Sequence, residues 1–303
     1  MDVLNNTTNA KFIPTIIAQK ALGRLSSYLS LAKNISRDSD WITATEGQTI
    51  RVPKRGAVVA NDKSQGSAFT KQNPTATDVY VTLDTHKEVT IAIDDVTKVL
   101  ENQDSLAGYA EDGAIALAEA VETEVANLHP SVAHTVTFDN TSEDTIDSSL
   151  LTLRKKFTDN KVPLVEQKHL YVCSDVFNDL LSVDKYTRFD ARGANEAISS
   201  GKVIKTYGFD IEESQIVQSS GSPVTYHNMA YTKSGLVIAS RPLPLPAQGM
   251  GVIAGAINRP DVGMSLRYLF HYDADYGCHV VTLDLLFGVA VLDDRRVVEL
   301  ESA

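Results

Sequence analysis

Cysteine is nearly absent from this sequence, and so are tryptophan, long apolar runs and surplus positive charge. Cys173 and Cys278 are too few for a disulfide framework and fit a chain that folds in a reducing cytoplasm. The opening MDVLNNTTNAKFIPTIIA lacks the basic region and apolar core of a secretory signal. Runs such as LLFGVAVL fall far short of the about 20 apolar residues that a spanning helix needs. The expectation is a chain neither secreted nor membrane-embedded. Against 39 Asp and Glu stand 28 Lys and Arg, a formal net charge of -11 in 303 residues. Sequence-independent nucleic-acid binders neutralise phosphates with clustered Lys and Arg, so that class is disfavoured. G-x-x-x-x-G-K-[ST], H-E-x-x-H, C-x-x-C and G-x-S-x-G are missing, which leaves no familiar enzyme motif to build on. Gly249, Gly251 and Ala254 have the G-x-G-x-x-A spacing. A Pro-rich stretch precedes them instead of a strand, so the segment reads as a loop.

What is present is enough apolar sequence, 43%, for about two folding units. Residues 1–10 are polar and need a partner to order them. From Ile16 to Ile35, Ile17, Ala21, Leu25, Leu29 and Ala32 recur at helical spacing, weakened by Gly23; an extended arm over a neighbour is the other reading. The period then becomes two: Ile50 and Val52, then Val79, Val81 and Leu83, then Val89, Ile91 and Ile93 predict strands. The polar stretch 54–77 between them is far longer than a usual hairpin loop. With little core of its own, it needs another surface to lie on, such as a second subunit.

Residues 104–130 give the strongest helix signal. Leu106, Ala110, Ala114, Leu117, Val121, Val125 and Leu128 share one face, Asp104 or Ser105 can cap it, and Pro130 ends it. Seven alanines between 107 and 126 allow close approach from either side, which marks a central element. Residues 145–163 predict a second helix with Ile146, Leu150, Leu153 and Phe157 aligned. Further on, KHLYVCS and GFDIEES read as strands and DVFNDLLSV as a short helix. VTYHNMAYTKSGLVIAS reads as two strands around a Lys-Ser-Gly turn, and RPLPLPAQG as a loop. The C-terminal alternation places Leu266, Tyr268 and Phe270 on one strand, Val281, Leu283 and Leu285 on the next, and Val289 and Val291 on another.

HYDADYGCH, 271–279, collects potential metal ligands. On a strand, His271 and Asp275 stand roughly 13 Å apart, whereas ligands to one ion must converge within a few ångströms. Asp and Gly favour a polar turn joining two strands, with His271 and His279 near each other across it and able to titrate at a subunit contact. A metal-dependent hydrolase using His271, Asp273 and His279 is a remote alternative.

The order of parts is more telling than any motif. FIPTIIAQKALGRLSSYLSLAKNISRD, GQTIRVPKRG, VTIAIDDV, AGYAEDGAIALAEAVETEVAN, GFDIEESQIV and the ending HYDADYGCHVVTLDLLFGVAVLDDRRVVEL together resemble the major capsid proteins of tailed phages. The likeness covers nearly all of residues 11–300. It implies an α+β, Hong-Kong-97-like fold: an N-terminal arm (1–42), an extended hairpin loop (43–94), a peripheral domain on a long spine helix (95–145 and 255–285) and an axial domain (146–254 and 286–303). It also implies a structural subunit, not an enzyme, that self-assembles into hexamers and pentamers of an icosahedral shell around double-stranded DNA, with no cofactor or metal. Its implied partners are copies of itself, a separate scaffolding protein, a portal, decoration or cement proteins, and packaged DNA held without sequence-specific contacts. The site is then the virion, assembled in the host cytoplasm. An encapsulin-type compartment of the same fold is the alternative. Candidate inter-subunit contacts are Phe12, Ile13, Trp41, Lys54, Arg55, Lys63, Phe69 and Lys71. Trp41 suits either a core or an interface anchor. The basic residues suit phosphate, an acidic neighbour, or solvent. Some relatives cross-link a loop lysine; Lys63 and Lys71 are the lysines available, with no acceptor identifiable.

Overall fold

The computed structural model describes residues 19–21, 23–25, 28–37, 49–54, 56, 58–75, 77–95, 105–187, 205–247, 251–259 and 264–302. In chain order the strands are β1 (Ser36–Arg37), β2 (Thr49–Lys54), β3 (Thr77–Thr82), β4 (Thr85–Asp94), β5 (Thr135–Phe138), β6 (Lys168–Val172) and β7 (Phe209–Glu213). They continue with β8 (Ser219–Ser220), β9 (Thr225–Thr232), β10 (Leu236–Arg241), β11 (Val252–Arg259), β12 (Met264–Asp273), β13 (Cys278–Val291) and β14 (Val297–Ser302). The helices are α1 (Ser105–Ala126), α2 (Glu143–Asp159), α3 (Ser174–Ser182) and the short α4 (Asp184–Thr187).

Two mixed sheets organise the molecule. The first runs β1-β10-β13-β12-β11, with β4 also paired to β13. The second runs β5-β14-β9-β6-β7, with β8 paired to β9. α1 covers the first sheet: Ala110, Ala114, Leu117, Val121 and Val125 form one core with Leu266, Leu283, Leu285 and Phe287. Of the face expected from the spacing, Ala110, Ala114, Leu117, Val121 and Val125 are buried and Leu128 is half-buried, while the Leu106 side chain lies outside what is described. Small residues let β4 come close, since a Cβ on Gly113 would stand 3.0 Å from Val89 Cγ1. α2 and α3 cover the second sheet, where Leu150, Leu153 and Phe157 meet Leu170, Val172, Val298 and Leu300. Each such side chain, fully buried, contributes about 2 kcal/mol. Ser142 starts α2 with a capping box, its hydroxyl accepting from Thr145 N–H while Thr145 Oγ1 accepts from Ser142 N–H.

Several elements differ from the sequence reading. The helix expected over Ile16–Ile35 breaks: its described part is helical at 19–21, 23–25 and 28, and a 3-10 turn Ala32–Asn34 leads into β1. The cause is Glu122 of α1, whose carboxylate takes the N–H groups of Ser30, Leu31 and Ala32 that a continuing helix would have directed at its own carbonyls. The segment read as a loop around Gly249–Ala254 is from Val252 onward a strand, β11, paired along its length with β12. Gly251 enters it at φ 71°, in the left-handed region that glycine tolerates. The separate strand expected at Val289 is the end of the continuous β13. Gly288 keeps it continuous, because the Thr82 carbonyl oxygen lies only 2.0 Å from where a Cβ would stand.

The sheets also divide the chain elsewhere than at 146, 254 and 285. β5 belongs to the second sheet, β10 and the whole of β13 to the first. The Lys-Ser-Gly turn thus joins β9 and β10 across the two sheets.

Candidate assembly surface and polar junction

β2 and β3 pair from Thr49 opposite Thr82 to Lys54 opposite Thr77, and form the stem of the long loop. Inward-facing Ile50, Val52, Val81 and Leu83 pack on Val237 and Ala239 of β10. Arg51 pairs with Asp78 across the stem at 2.5 Å. Beyond it, the described residues between 56 and 75 have no helix or strand. What holds them is sparse: Val59 N–H donates to Gln72 Oε1 at 2.9 Å, Gln72 Nε2 returns a bond to Val59 O, and Lys63 Nζ sits 3.7 Å from the centre of the Phe69 ring. Val58, Val59 and Phe69 are 71%, 68% and 78% exposed. Three large apolar side chains on one uncovered loop form a surface that calls for a covering partner.

The candidate contacts fare differently. Lys63, Phe69 and Lys71 lie on the exposed loop. Lys54 is engaged inside the chain, its ammonium 2.9 Å from Asp293 Oδ1. Phe12, Ile13, Trp41 and Arg55 lie outside the described residues, as does Asp104.

Asp293 is a hub. It accepts from Lys54, from Arg295 Nε and Nη2 at 3.1 and 2.9 Å, and from Arg296 Nε at 3.2 Å. Burial opposes its ionisation, but these donors win and hold the carboxyl well below the usual carboxylate range. The root of the loop is thereby tied to the connection between β13 and β14.

A second hub fixes the arm. Glu122, 1% exposed, accepts from Ser30 and Ala32 N–H on Oε1 and from Leu31 N–H on Oε2, at 2.9 to 3.0 Å. Tyr171 of β6 donates to the same carboxylate at 3.2 Å, and Tyr231 of β9 donates to Leu31 O at 3.3 Å. Burial raises the Glu122 pKa against the lowering effect of those N–H bonds, and Tyr171 is pushed up to about 12 by burial and by Glu122. Residues 30–32, α1 and the second sheet meet there.

Residues 274–277 of HYDADYGCH form a turn between β12 and β13, with Gly277 at φ 60° and Asp275 N–H donating to Asp273 Oδ1. His271 pairs with Val280, whereas His279 pairs with Tyr272. Neighbours along a strand face opposite ways, so the two histidines lie on opposite faces and are not near each other across the turn as expected. His279 stands 3.5 Å from Asp95 instead. The remote hydrolase built on His271, Asp273 and His279 loses its geometry.

The group that does converge was not read from the sequence. His129, just beyond α1, His227 of β9 and Glu299 of β14 bring potential ligand atoms within 4.8 Å of one another. The two imidazoles stack at 3.9 Å with planes 15° apart, so their in-plane lone pairs run side by side and do not meet at one ion. Glu299 Oε1 instead faces both rings, 2.6 Å from His227 Nδ1 and 3.4 Å from His129 Nδ1. No spacing rule could have found residues so far apart; the register of β9 on β14 brings His227 to Glu299, and the turn beyond α1 brings His129.

A two-stranded stem carrying a long exposed loop, a helix over one sheet and a second sheet under its own helices together match the fold of solved phage capsid structures. Among solved structures, the chain is similar to one from Mycobacterium phage Che8, with a TM-score of 0.67 at 18% identity over 90% of each chain. It is similar to the capsid of cyanophage P-SCSP1u, TM-score 0.63 at 14% identity over 89% of each. A virus-like particle from Pyrococcus furiosus gives 0.54 at 12% identity, over 94% of this chain and 97% of that one. The sequence matches no family model and no curated protein. No helix among the described residues is long and apolar enough to cross a membrane.

Proposed function

We propose that the chain is a major capsid protein that assembles into the hexamers and pentamers of an icosahedral shell enclosing double-stranded DNA. The carrying observation is the loop 56–75, which exposes Val58, Val59 and Phe69 while its stem is fixed by apolar packing and the Lys54–Asp293 pair. Repeated contacts between identical subunits cover such loops, and they close into rings where the rotation permits. The acidity of the chain suits that task, since a lining that gripped phosphates would hinder dense packing and release of DNA. On this reading the arm takes residues 1–42, and the peripheral domain follows the first sheet and the axial domain the second. A scaffolding protein, a portal and decoration proteins are its partners, the host cytoplasm is the place of assembly, and the shell needs no reaction or cofactor.

The test is negative-stain microscopy of the expressed full chain, with and without a candidate scaffold, beside a Phe69→Ser variant. Shells or capsomers from the parent, with weaker assembly of the variant at unchanged folding, are expected. A stable monomer under every condition would sink the proposal. Likeness to the Pyrococcus furiosus particle supports the encapsulin-type reading too. Nuclease-protected double-stranded DNA inside shells formed with packaging partners separates the capsid from a compartment loaded with protein.

A further inference from the structure

Ser220, His227 and Glu299 stand in line across three strands of the second sheet. Ser220 Oγ is 2.7 Å from His227 Nε2, and His227 Nδ1 is 2.6 Å from Glu299 Oε1. Ser220 is exposed at the end of β8, opposite Thr225 of β9, while Glu299 is 5% exposed. An ionised carboxylate can only accept, so it fixes the proton on Nδ1 and leaves the Nε2 lone pair facing the serine hydroxyl. Nucleophile, base and orienting acid follow one another in that order in acyl-transfer sites, which are recognised by geometry and roles and not by position in the chain.

The surroundings support the acid. Thr135 Oγ1 lies 3.5 Å from Glu299 Oε2, and the Glu299 N–H donates to His134 O at 2.8 Å. His129 stacks on His227 and faces the same carboxylate oxygen. Burial and the neighbouring imidazole lower the His129 pKa despite Glu299 and Glu301, which disfavours a charge on that ring beside the base. Next to Ser220, Gly221 turns the chain at φ 82°, and its N–H has no backbone partner among the described residues. The N–H following a nucleophile is a usual oxyanion donor.

We propose that Ser220, His227 and Glu299 form an acyl-transfer triad acting on small ester or thioester acyl groups that reach the hairpin from solvent. Ser220 Oγ bonds to the acyl carbon as its proton passes to His227 Nε2. The carbon–oxygen or carbon–sulfur bond then breaks, and the leaving alcohol or thiol takes that proton. Water completes the cycle: it attacks the acyl carbon, gives a proton to Nε2, and Ser220 leaves with that proton restored. Glu299 touches no substrate and acts as a positioning residue. This activity is additional to shell formation and does not depend on it.

The unassembled full-length chain is treated with a fluorophosphonate and, separately, with p-nitrophenyl acetate, and adducts are located by peptide mass mapping. Phosphonylation at Ser220, absent in Ser220→Ala, is expected, with a loss of about 100-fold in rate for His227→Gln. Glu299→Gln should slow labelling while circular dichroism stays unchanged. If His227→Gln or Glu299→Gln unfolds, Ser220→Cys supplies the second reading: its alkylation by iodoacetamide should be fast relative to a solvent-exposed control cysteine, since the imidazole draws off the thiol proton. Equal labelling of parent and Ser220→Ala, a His227→Gln rate equal to the parent's, or an introduced thiol in Ser220→Cys that reacts no faster than the control would overturn the assignment.

Discussion

Replacing Glu122 by Gln changes one atom of a buried carboxylate and tests whether the arm is held by charge-assisted bonds. The carboxylate accepts three consecutive backbone N–H groups, two on Oε1 and one on Oε2. The glutamine oxygen can keep the two from Ser30 and Ala32, while its NH2 group then confronts the Leu31 N–H. Bonds to a charged acceptor are worth about 1.5–3 kcal/mol and neutral ones about 0.5–1.5, so the two retained bonds lose about 1 kcal/mol each. An unsatisfied Leu31 donor costs a further 1–3 kcal/mol or so. Removing a charge from a site that disfavours it, as the raised Glu122 pKa shows, returns part of this. The net expectation is a destabilisation of about 2 kcal/mol, or roughly 3 °C in Tm for a chain of this size unfolding as one unit. Calorimetry of the unassembled chain measures it, and hydrogen exchange at Ser30, Leu31 and Ala32 shows whether the arm is what loosens. The sign with pH follows: because folding raises this pKa above its ordinary value, the parent takes up its proton first in the folded state and gains stability as pH falls through that window, the glutamine gains none, and the penalty of the substitution widens there. A glutamine variant as stable as the parent at neutral pH, with unchanged exchange at the three amides, would refute the argument.

Asp293 gives the opposite pH signature. Its folded pKa is depressed, so its contribution is complete above the ordinary carboxylate pKa of about 4 and is lost as pH falls below it. Urea midpoints measured between neutral pH and pH 2 should show that acid limb in the parent and a weaker one in Asp293→Asn, whose Lys54 loses its ionic anchor. Gly288→Ala should cost about 3 kcal/mol or more, since the obstructing Thr82 atom is backbone and cannot rotate away. Gly108→Ala, with nothing within 4 Å of the new methyl on α1, should instead gain up to about 1 kcal/mol. Urea titration of both variants tests the pair, and similar effects would contradict the packing argument.

Periodicity carried much of the fold into view because it records burial against a single neighbour. α2 buries Ile146, Leu150, Leu153 and Phe157 at helical spacing, and β2 buries Ile50 and Val52 at strand spacing. What periodicity does not record is the partner. β9 and β10 read as two strands around one turn, yet they part into different sheets, and β5 finds its parallel partner in β14 at the far end of the chain. The break after Leu29 was hidden for the same reason: Leu29, Leu31 and Ile35 are apolar and buried, and only the distant Glu122 decides that their backbone leaves the helix. Ser220, His227 and Glu299 meet through strand register, and His129 joins them from the turn beyond α1. The resemblance to capsid proteins supplied the order of elements but not these side-chain meetings.

The two hubs bear on the proposed assembly, because they tie residues 30–32 and the root of the long loop to the rest of the chain. Ordering an extended loop on a neighbour costs about 1–2 kcal/mol per residue in backbone entropy, which a few exposed apolar side chains cannot offset alone. Pinning the root at Lys54–Asp293 and bracing the stem with the Arg51–Asp78 pair lowers that cost before any neighbour arrives. The Val59–Gln72 bonds continue this, drawing the two sides of the loop together well out from the stem. The arm follows the same logic, with Glu122 gripping three amides and Arg24 meeting Glu111 at 3.0 Å on the spine helix. Affinity between subunits then depends less on area than on how little remains to be ordered. Loosening a root should therefore weaken assembly more than removing an equal apolar area at the tip.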